Sequence, residues 1–273
     1  MLKLATGLLI VAVIAAAFAT WALWRWSRAI DAEIARLSAS AQGGEIVTGA
    51  MVRSLPEPVR RYLAFSGVVG RPIPRLVRLS QRGRIRSSAE ASWMELVADE
   101  IYSTSPPAFV WKAFFPSRRL PVVLGRDEYL DGRGSILMKA LGLLRIADEG
   151  GSEAMNDASL MRYLNEMAWF PAAYAGRNVA WRAIDENSAE VTLTDRGRSA
   201  TATMFFDAEG RPVNFRARRY NTTTQRDELW ETPFTQFGSF AGVTVPTAGR
   251  ATWKLDGGDF TYIELEILAV AYE

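Results

Sequence analysis

Apolar and polar positions along this chain follow three rhythms in turn: an unbroken apolar run, a short helical stripe, and a long series of two-residue alternations. The run is Leu4 to Trp24, LATGLLIVAVIAAAFATWALW, with no charge and no proline. At about 1.5 Å per residue, a helix of this length matches the roughly 30 Å hydrocarbon core of a bilayer. Trp21, Trp24 and Trp26 close it, where an indole can bury its ring and leave its N–H among headgroups, and Arg25 and Arg28 follow. The pattern predicts a transmembrane anchor over 1–26. A cleaved secretory signal is the competing reading, with Lys3 at its start and Ala17-Phe18-Ala19 as the cleavage site, but the apolar run continues past that site. Orientation signals conflict. Arg25, Arg28 and Arg36 after the span favour a cytoplasmic domain, whereas the three-residue tail and signal-like start favour export. The expectation is a single-pass protein of the bacterial inner (cytoplasmic) membrane with its domain on the periplasmic or extracellular side.

A helical extension and linker is expected over 27–53, from the spacing of Ile30, Ile34 and Leu37 and the break at Gly43-Gly44. Ser54-Leu55-Pro56-Glu57 has the form of a capping box opening a short helix that Gly67 ends. From Pro74 onward the period is two. Val77, Leu79, Gly83 and Ile85 alternate with Arg78, Ser80, Arg82, Arg84 and Arg86, so one face of this strand is a row of arginines. Ser92 to Tyr102 follows at hairpin distance, and its Glu95 and Asp99 are expected to pair with those arginines across the strands. Phe109 to Phe115, a strand around Val122 to Leu124, and Tyr129-Leu130 and Ser135 to Leu144 flanking the Asp131-Gly132-Arg133-Gly134 turn come next. One strong helix is predicted over Asp157 to Trp169, capped by Asn156 or Asp157, with a Leu160, Met161, Leu164, Met167, Ala168 stripe. Short strands then run to the C-terminus, interrupted at Thr232 to Val245 by a stretch that reads more as loop than strand. A lone helix among strands must cover its stripe against the sheet. The predicted fold is therefore α+β and mostly antiparallel β: a curved sheet or incomplete barrel wrapped on a central helix, one domain over 54–273, preceded by one N-terminal transmembrane helix.

Composition narrows the chemistry. The chain has 32 basic against 30 acidic residues, so no global field favours nucleic acid, and none is expected as a partner. It has no cysteine and no histidine, which excludes disulfides, zinc-thiolate sites and Ser-His-Asp or Cys-His catalysis. No GxxxxGK[ST] occurs, the glycines around Arg133 join strand to strand, and neither a cofactor nor a metal is expected. Glu166 reads as a solvated carboxylate one turn from Arg162, because no second carboxylate lies at helical spacing from it.

Met161-Arg162-Tyr163-Leu164-Asn165-Glu166-Met167-Ala168-Trp169-Phe170-Pro171, with Leu55-Pro56-Glu57-Pro58-Val59-Arg60-Arg61-Tyr62-Leu63 and the Asp131-Gly132-Arg133-Gly134 turn, resembles a family of bacterial membrane-anchored proteins known only as a domain of unknown function. The order of elements is also similar to the periplasmic lipoprotein-carrier (LolA/LolB-like) fold, which implies an incomplete barrel that holds acyl chains. Neither resemblance transfers a catalytic residue.

Three functions fit these observations. The first is a cleft for a lipid or other apolar ligand, lined by Trp111, Phe115, Trp169, Phe170, Tyr174, Trp230 and Phe237, with Phe114 and Phe234 nearby in sequence; the plainer account makes these rings core. The basic face of Arg78, Arg82, Arg84 and Arg86 would then meet lipid phosphates or, on the plainer account, be matched by cross-strand carboxylates. The second is a scaffold or protein-interaction module presenting that face to a partner. The third is a histidine-free hydrolase using carboxylates such as Glu95, Glu100 or Glu166. The bilayer itself is the one partner the sequence names.

Overall fold

A computed structural model describes residues 2–116 and 122–273. The apolar leader is part of one continuous helix, α1 (Leu2–Ser40), that passes through the expected boundary at 26/27 without a break. The large apolar residues of its first turns, Leu4, Leu8, Val11 and Ile14, are exposed. Packing begins at Ala22, and Ala22, Trp26, Ile30 and Leu37 form a buried stripe at helical spacing. Residues 27–53 therefore lie against the domain. Gln42 N–H bonds the Ser105 carbonyl, and Val47 N–H bonds that of Arg71.

Two short helices follow, α2 (Gly49–Arg53) and α3 (Glu57–Phe65). The capping box expected at Ser54 lies one element earlier. Thr48 and Met51 make the reciprocal pair at the start of α2, while Ser54 ends α2 with its hydroxyl on the Met51 carbonyl at 2.7 Å. Pro56 opens α3, and Glu57 serves Arg60 rather than a cap.

The alternating segments are strands: β1 (Leu76–Ile85), β2 (Met94–Thr104), β3 (Pro107–Phe115), β4 (Val123–Leu130), β5 (Arg133–Ala140) and β6 (Leu144–Gly150) before the central helix. After it come β7 (Val179–Asp185), β8 (Ser188–Asp195), β9 (Arg198–Phe206), β10 (Pro212–Asn221), β11 (Arg226–Glu231), β12 (Phe234–Phe240), β13 (Val243–Leu255) and β14 (Gly258–Tyr272). They form one antiparallel 14-stranded sheet in the order β6-β5-β4-β3-β2-β1-β14-β13-β11-β10-β9-β8-β7, with β12 also on β13. Two meanders are thus joined where the first strand pairs with the last. Thr232 to Val245, expected as loop, holds all of β12 and the start of β13; its glycines sit within and between paired strands. Several hairpins turn through two left-handed residues ending in glycine, among them Asp131-Gly132, Leu141-Gly142, Arg196-Gly197 and Ala241-Gly242.

The sheet curls around α4 (Glu153–Glu166), capped by Ser152, whose hydroxyl accepts the Met155 N–H at 3.1 Å. The helix starts four residues before the expected Asp157 and ends at Glu166, and two 3-10 turns, Met167–Trp169 and Pro171–Ala175, carry the chain away. It is enclosed on more than its predicted stripe, so two of its asparagines are buried and partnered: Asn156 accepts the Gly134 N–H, and Asn165 donates to Thr232 at 2.6 Å. Gly134 is obligatory there, because a Cβ would collide with Ser159 and the Met155 carbonyl. The sheet is covered on both faces. Tyr62, Tyr102, Phe109, Tyr163 and Phe170 pack with α4 inside, while Trp26, Ile30 and Leu37 of α1 sit outside on Ile101, Val110 and Leu124.

Candidate functional site

Strand register divides the concave face into rows. Val77, Tyr102, Phe109, Tyr129 and Gly134 form the first inward row, and Leu79, Glu100, Trp111, Asp127 and Ile136 the second. Helix α4 covers these two. Beside the first row the flanks of the sheet meet: Tyr129 donates to Asp195 at 2.8 Å, Arg196 reaches Asp131, and Arg198 binds Glu153 and Asp157. That end of the hollow is closed. Beyond the second row α4 no longer fills the space, and a cavity of ≈ 370 Å³ remains. Its wall is largely apolar, from Trp111, Phe115, Met138, Trp230, Trp253 and Ile263, with Asp127, Arg162, Glu166 and Arg219 as its charged members on α4 and the inward strand faces.

The charged floor is built by α4. Arg162 binds Glu166 one turn on at 2.7 Å, Glu100 of β2 at 2.9 Å, and Asp127 of β4. Tyr102 donates to Glu166 at 3.0 Å and Gln81 to Glu100 at 2.6 Å, and the guanidinium lies over the Phe109 and Trp111 rings. Glu166, expected in water beside Arg162, keeps that partner on its own helix but is buried, because the strands carrying Tyr102, Glu100 and Asp127 close over the pair. One guanidinium cannot neutralise three carboxylates. Burial raises the Glu100 carboxyl well above the ordinary glutamate range, the Glu166 charge raises it further, and Arg162 only partly opposes them. Burial raises Glu166 as well, against the pull of Arg162. The cluster therefore holds a proton at pH values where exposed glutamates have lost theirs.

Of the residues expected to bind an apolar ligand, Trp111, Phe115, Trp169 and Trp230 line this cavity, as does Phe234. Phe170 is buried between Tyr102 and Tyr163, and on its other side borders a separate hollow at the closed end of the sheet. Tyr174 is core, packed on Tyr62 and Trp181 with its hydroxyl on the Leu164 carbonyl. Phe237 packs edge-on against Phe65. Phe114 and Glu95 point to the opposite, convex face.

The arginine row of β1 also faces outward, and its partners come from β14 and the residue after it rather than from β2: Arg78 pairs with Glu273, Arg82 with Glu266 and Arg84 with Glu264, each at 2.7 Å. Arg86 lies over Trp93 and Phe260. The strand expected around Val122 to Leu124 runs on to Leu130, and the pairing of β1 with β14 lies outside any local pattern, so Asp127 and the glutamates of β14 were missed. Val123, Gly125, Asp127 and Tyr129 do alternate, and that was the available signal for Asp127. Arg219 was missed too. It projects inward from β10, donates to the Ala158 carbonyl at 3.0 Å, lies over Trp230 and Trp253, and has no carboxylate partner among the described residues. Among those residues no group of side chains is arranged to hold a metal ion.

A curved antiparallel half-barrel with a helix in its hollow and an apolar cavity beside that helix defines the class of protein. The chain belongs to the family of unknown function DUF6544, whose profile matches residues 45–265. Solved structures similar to it include a putative outer membrane lipoprotein-sorting protein domain from Vibrio parahaemolyticus, at 10% identity over 72% of this chain and 85% of that one, TM-score 0.39. A LolA superfamily protein from Nitrosomonas europaea matches at 12% identity over 72% and 85%, TM-score 0.37. A DUF1329 family protein from Desulfovibrio piger matches at 10% identity over 81% and 93%, TM-score 0.45. The unknown-function family expected from the sequence is thus found. No curated protein matches the chain.

Proposed function

We propose that this protein is a membrane-tethered domain that receives a lipid acyl chain, or another apolar ligand, in the hollow between α4 and the sheet. The observation that carries this reading is the cavity of ≈ 370 Å³ and its aromatic and aliphatic wall. An ordinary core would have filled that space, since interiors leave few voids larger than a water molecule. Helix α1 supports the tether, being long and apolar enough to cross a bilayer with its first turns unpacked. Residues 1–26 serve as the anchor, and the domain lies on the periplasmic or extracellular side. A C-terminal alkaline phosphatase fusion should accordingly be active.

Arg219 supplies the counter-charge for an anionic end of the ligand. In the wild type a fatty acid should bind more tightly than the alcohol of equal chain length, and Arg219→Gln should remove most of that preference, about tenfold or 1.4 kcal/mol. The carboxylate cluster does not favour a hydrolase. Both oxygens of Glu100 and of Glu166 are committed to Arg162, Gln81 or Tyr102, which leaves Asp127 as the one carboxylate of the cluster with a free oxygen on the cavity and no second beside it to complete an acid–base pair. Native mass spectrometry of the full chain purified in detergent tests the reading: bound lipid is expected, and a chain that carries none after several detergents would oppose it.

A further inference from the structure

We infer that the open end of the hollow rests on the bilayer itself, with the β5–β6 hairpin as a second membrane contact beside α1, so that the ligand enters from the membrane and not from water. This rests on the tethered, lipid-binding reading above. Three independent observations orient the domain.

The first is the course of α1 along the convex face. Near its C-terminal end Arg36 reaches Asp131 at 3.7 Å, and Gln42 meets Ser105; both partners lie in hairpins at the closed end of the hollow. Moving back along the helix, Ser27 accepts from Lys112 at mid-strand, Trp26 lies under Lys139, and Ala22 meets the β5–β6 turn. A Cβ on Gly142 would lie 3.2 Å from the Ala22 carbonyl oxygen. Everything before Ala22 projects past the opposite end of the sheet. The bilayer must therefore face that end.

The second is the position of the cavity. Its rim is formed by Ser87 after β1, Phe115 at the end of β3, Thr222 and Thr223 in the β10–β11 turn, and Phe260 near the β13–β14 turn. By register Ser87, Phe115 and Phe260, on the strands nearest α1, lie at the end from which α1 departs.

The third is the hairpin. Leu141 and Gly142 both occupy left-handed backbone, a turn that ordinarily favours Asn or Asp ahead of glycine. Here a leucine stands there, and Leu141, Leu144 (70% exposed) and Ile146 are apolar and uncovered. The occupant that fits is lipid, because this patch is continuous with the apolar surface of α1 at Ala22 and Leu23. At the same level Arg25 lies over Trp21, Arg28 over Trp24 and Lys139 over Trp26, which is the mixture of cations and indoles that suits a headgroup layer.

The chain has no cysteine, so single-cysteine variants of the full protein give clean labels. Ile14→Cys, Leu144→Cys and Arg133→Cys would each carry an environment-sensitive fluorophore in phosphatidylcholine–phosphatidylglycerol vesicles containing lipids with nitroxide-labelled acyl chains. The labels at Ile14 and Leu144 should both be quenched several-fold more than the label at Arg133, which lies in the hairpin at the closed end. Quenching at Ile14 with none at Leu144 would overturn this inference and leave the tether standing; no quenching at Ile14 would remove the tether and this inference with it. In addition, Leu144→Glu with Ile146→Glu should slow lipid uptake from vesicles at least tenfold while leaving binding of a short-chain lipid in detergent unchanged. Loss of both would point to damage in the cavity and overturn the hairpin's role, and loss of neither would overturn the route of entry.

Discussion

The two ends of the hollow are made by the same strands and differ in almost everything else. At the closed end, helix α4 meets the sheet through buried tyrosines, with the hydroxyls of Tyr102, Tyr129 and Tyr163 all engaged, two hairpins meet through Asp131 and Arg196, and Arg198 holds Glu153 and Asp157 of α4. At the open end the helix has ended, the wall is tryptophan, phenylalanine, methionine and isoleucine, and space is left. The boundary between them is Arg162 with its three carboxylates. A charged cluster of this kind adds little net stability, because its desolvation offsets its attraction, but it is intolerant of losing one partner. It sits where the packed half of the hollow gives way to the cavity, and its Asp127, Arg162 and Glu166 line that cavity.

The largest effect should come from breaking that boundary. Arg162→Met would leave Glu100, Asp127 and Glu166 buried without a cation and should destabilise the domain by about 3–5 kcal/mol in denaturant titration, with part of the loss recovered at acidic pH as the carboxyls protonate. Filling the open half should act on binding and not on folding. Met138→Trp, on the cavity wall, should lower copurifying lipid by about tenfold while changing the unfolding midpoint little. A subtler test is the pH profile. Folded Glu100 keeps its proton at pH values where the unfolded chain, with an ordinary value of 4.5, has released it. Linkage then makes stability fall as pH rises from 4.5 through the raised native value. Glu100→Gln should flatten this slope, and an unchanged slope would show that the proton is held elsewhere. The smallest effect belongs to the convex face: Arg82→Gln and Arg84→Gln, each in an exposed pair with a β14 glutamate, should cost under about 1 kcal/mol apiece.

How much of this was legible in the sequence follows from the range of the interactions. The alternating strands, the central helix and the Asp131-Gly132 turn are local patterns, and each stands within a few residues of its expected place, while the apolar N-terminal run is helical as expected but continues to Ser40. Thr232 to Val245 looked like loop because its glycines and prolines mask strands that are held by pairing. Pairing between β1 and β14 joins residues nearly 200 apart, as Arg78 and Glu273 are at |i−j| = 195, and no window of sequence contains both. The cluster was hidden for the same reason. Glu166 has no carboxylate at helical spacing, yet Glu100 and Asp127 reach it from two strands through Arg162. The aromatic candidates were half gathered: composition identifies large rings, but only register decides that Trp111 and Trp230 border a cavity while Tyr174 completes the core.

The central claim, that the half of the hollow left open by α4 takes an acyl chain, is tested most directly by photo-crosslinking the full protein in vesicles of a phosphatidylcholine with a diazirine near the end of its chain. Peptide mapping should place adducts on cavity residues such as Trp111, Phe115, Met138 and Trp253 in addition to α1. Adducts confined to α1 and the β5–β6 hairpin, with the cavity unlabelled, would contradict it.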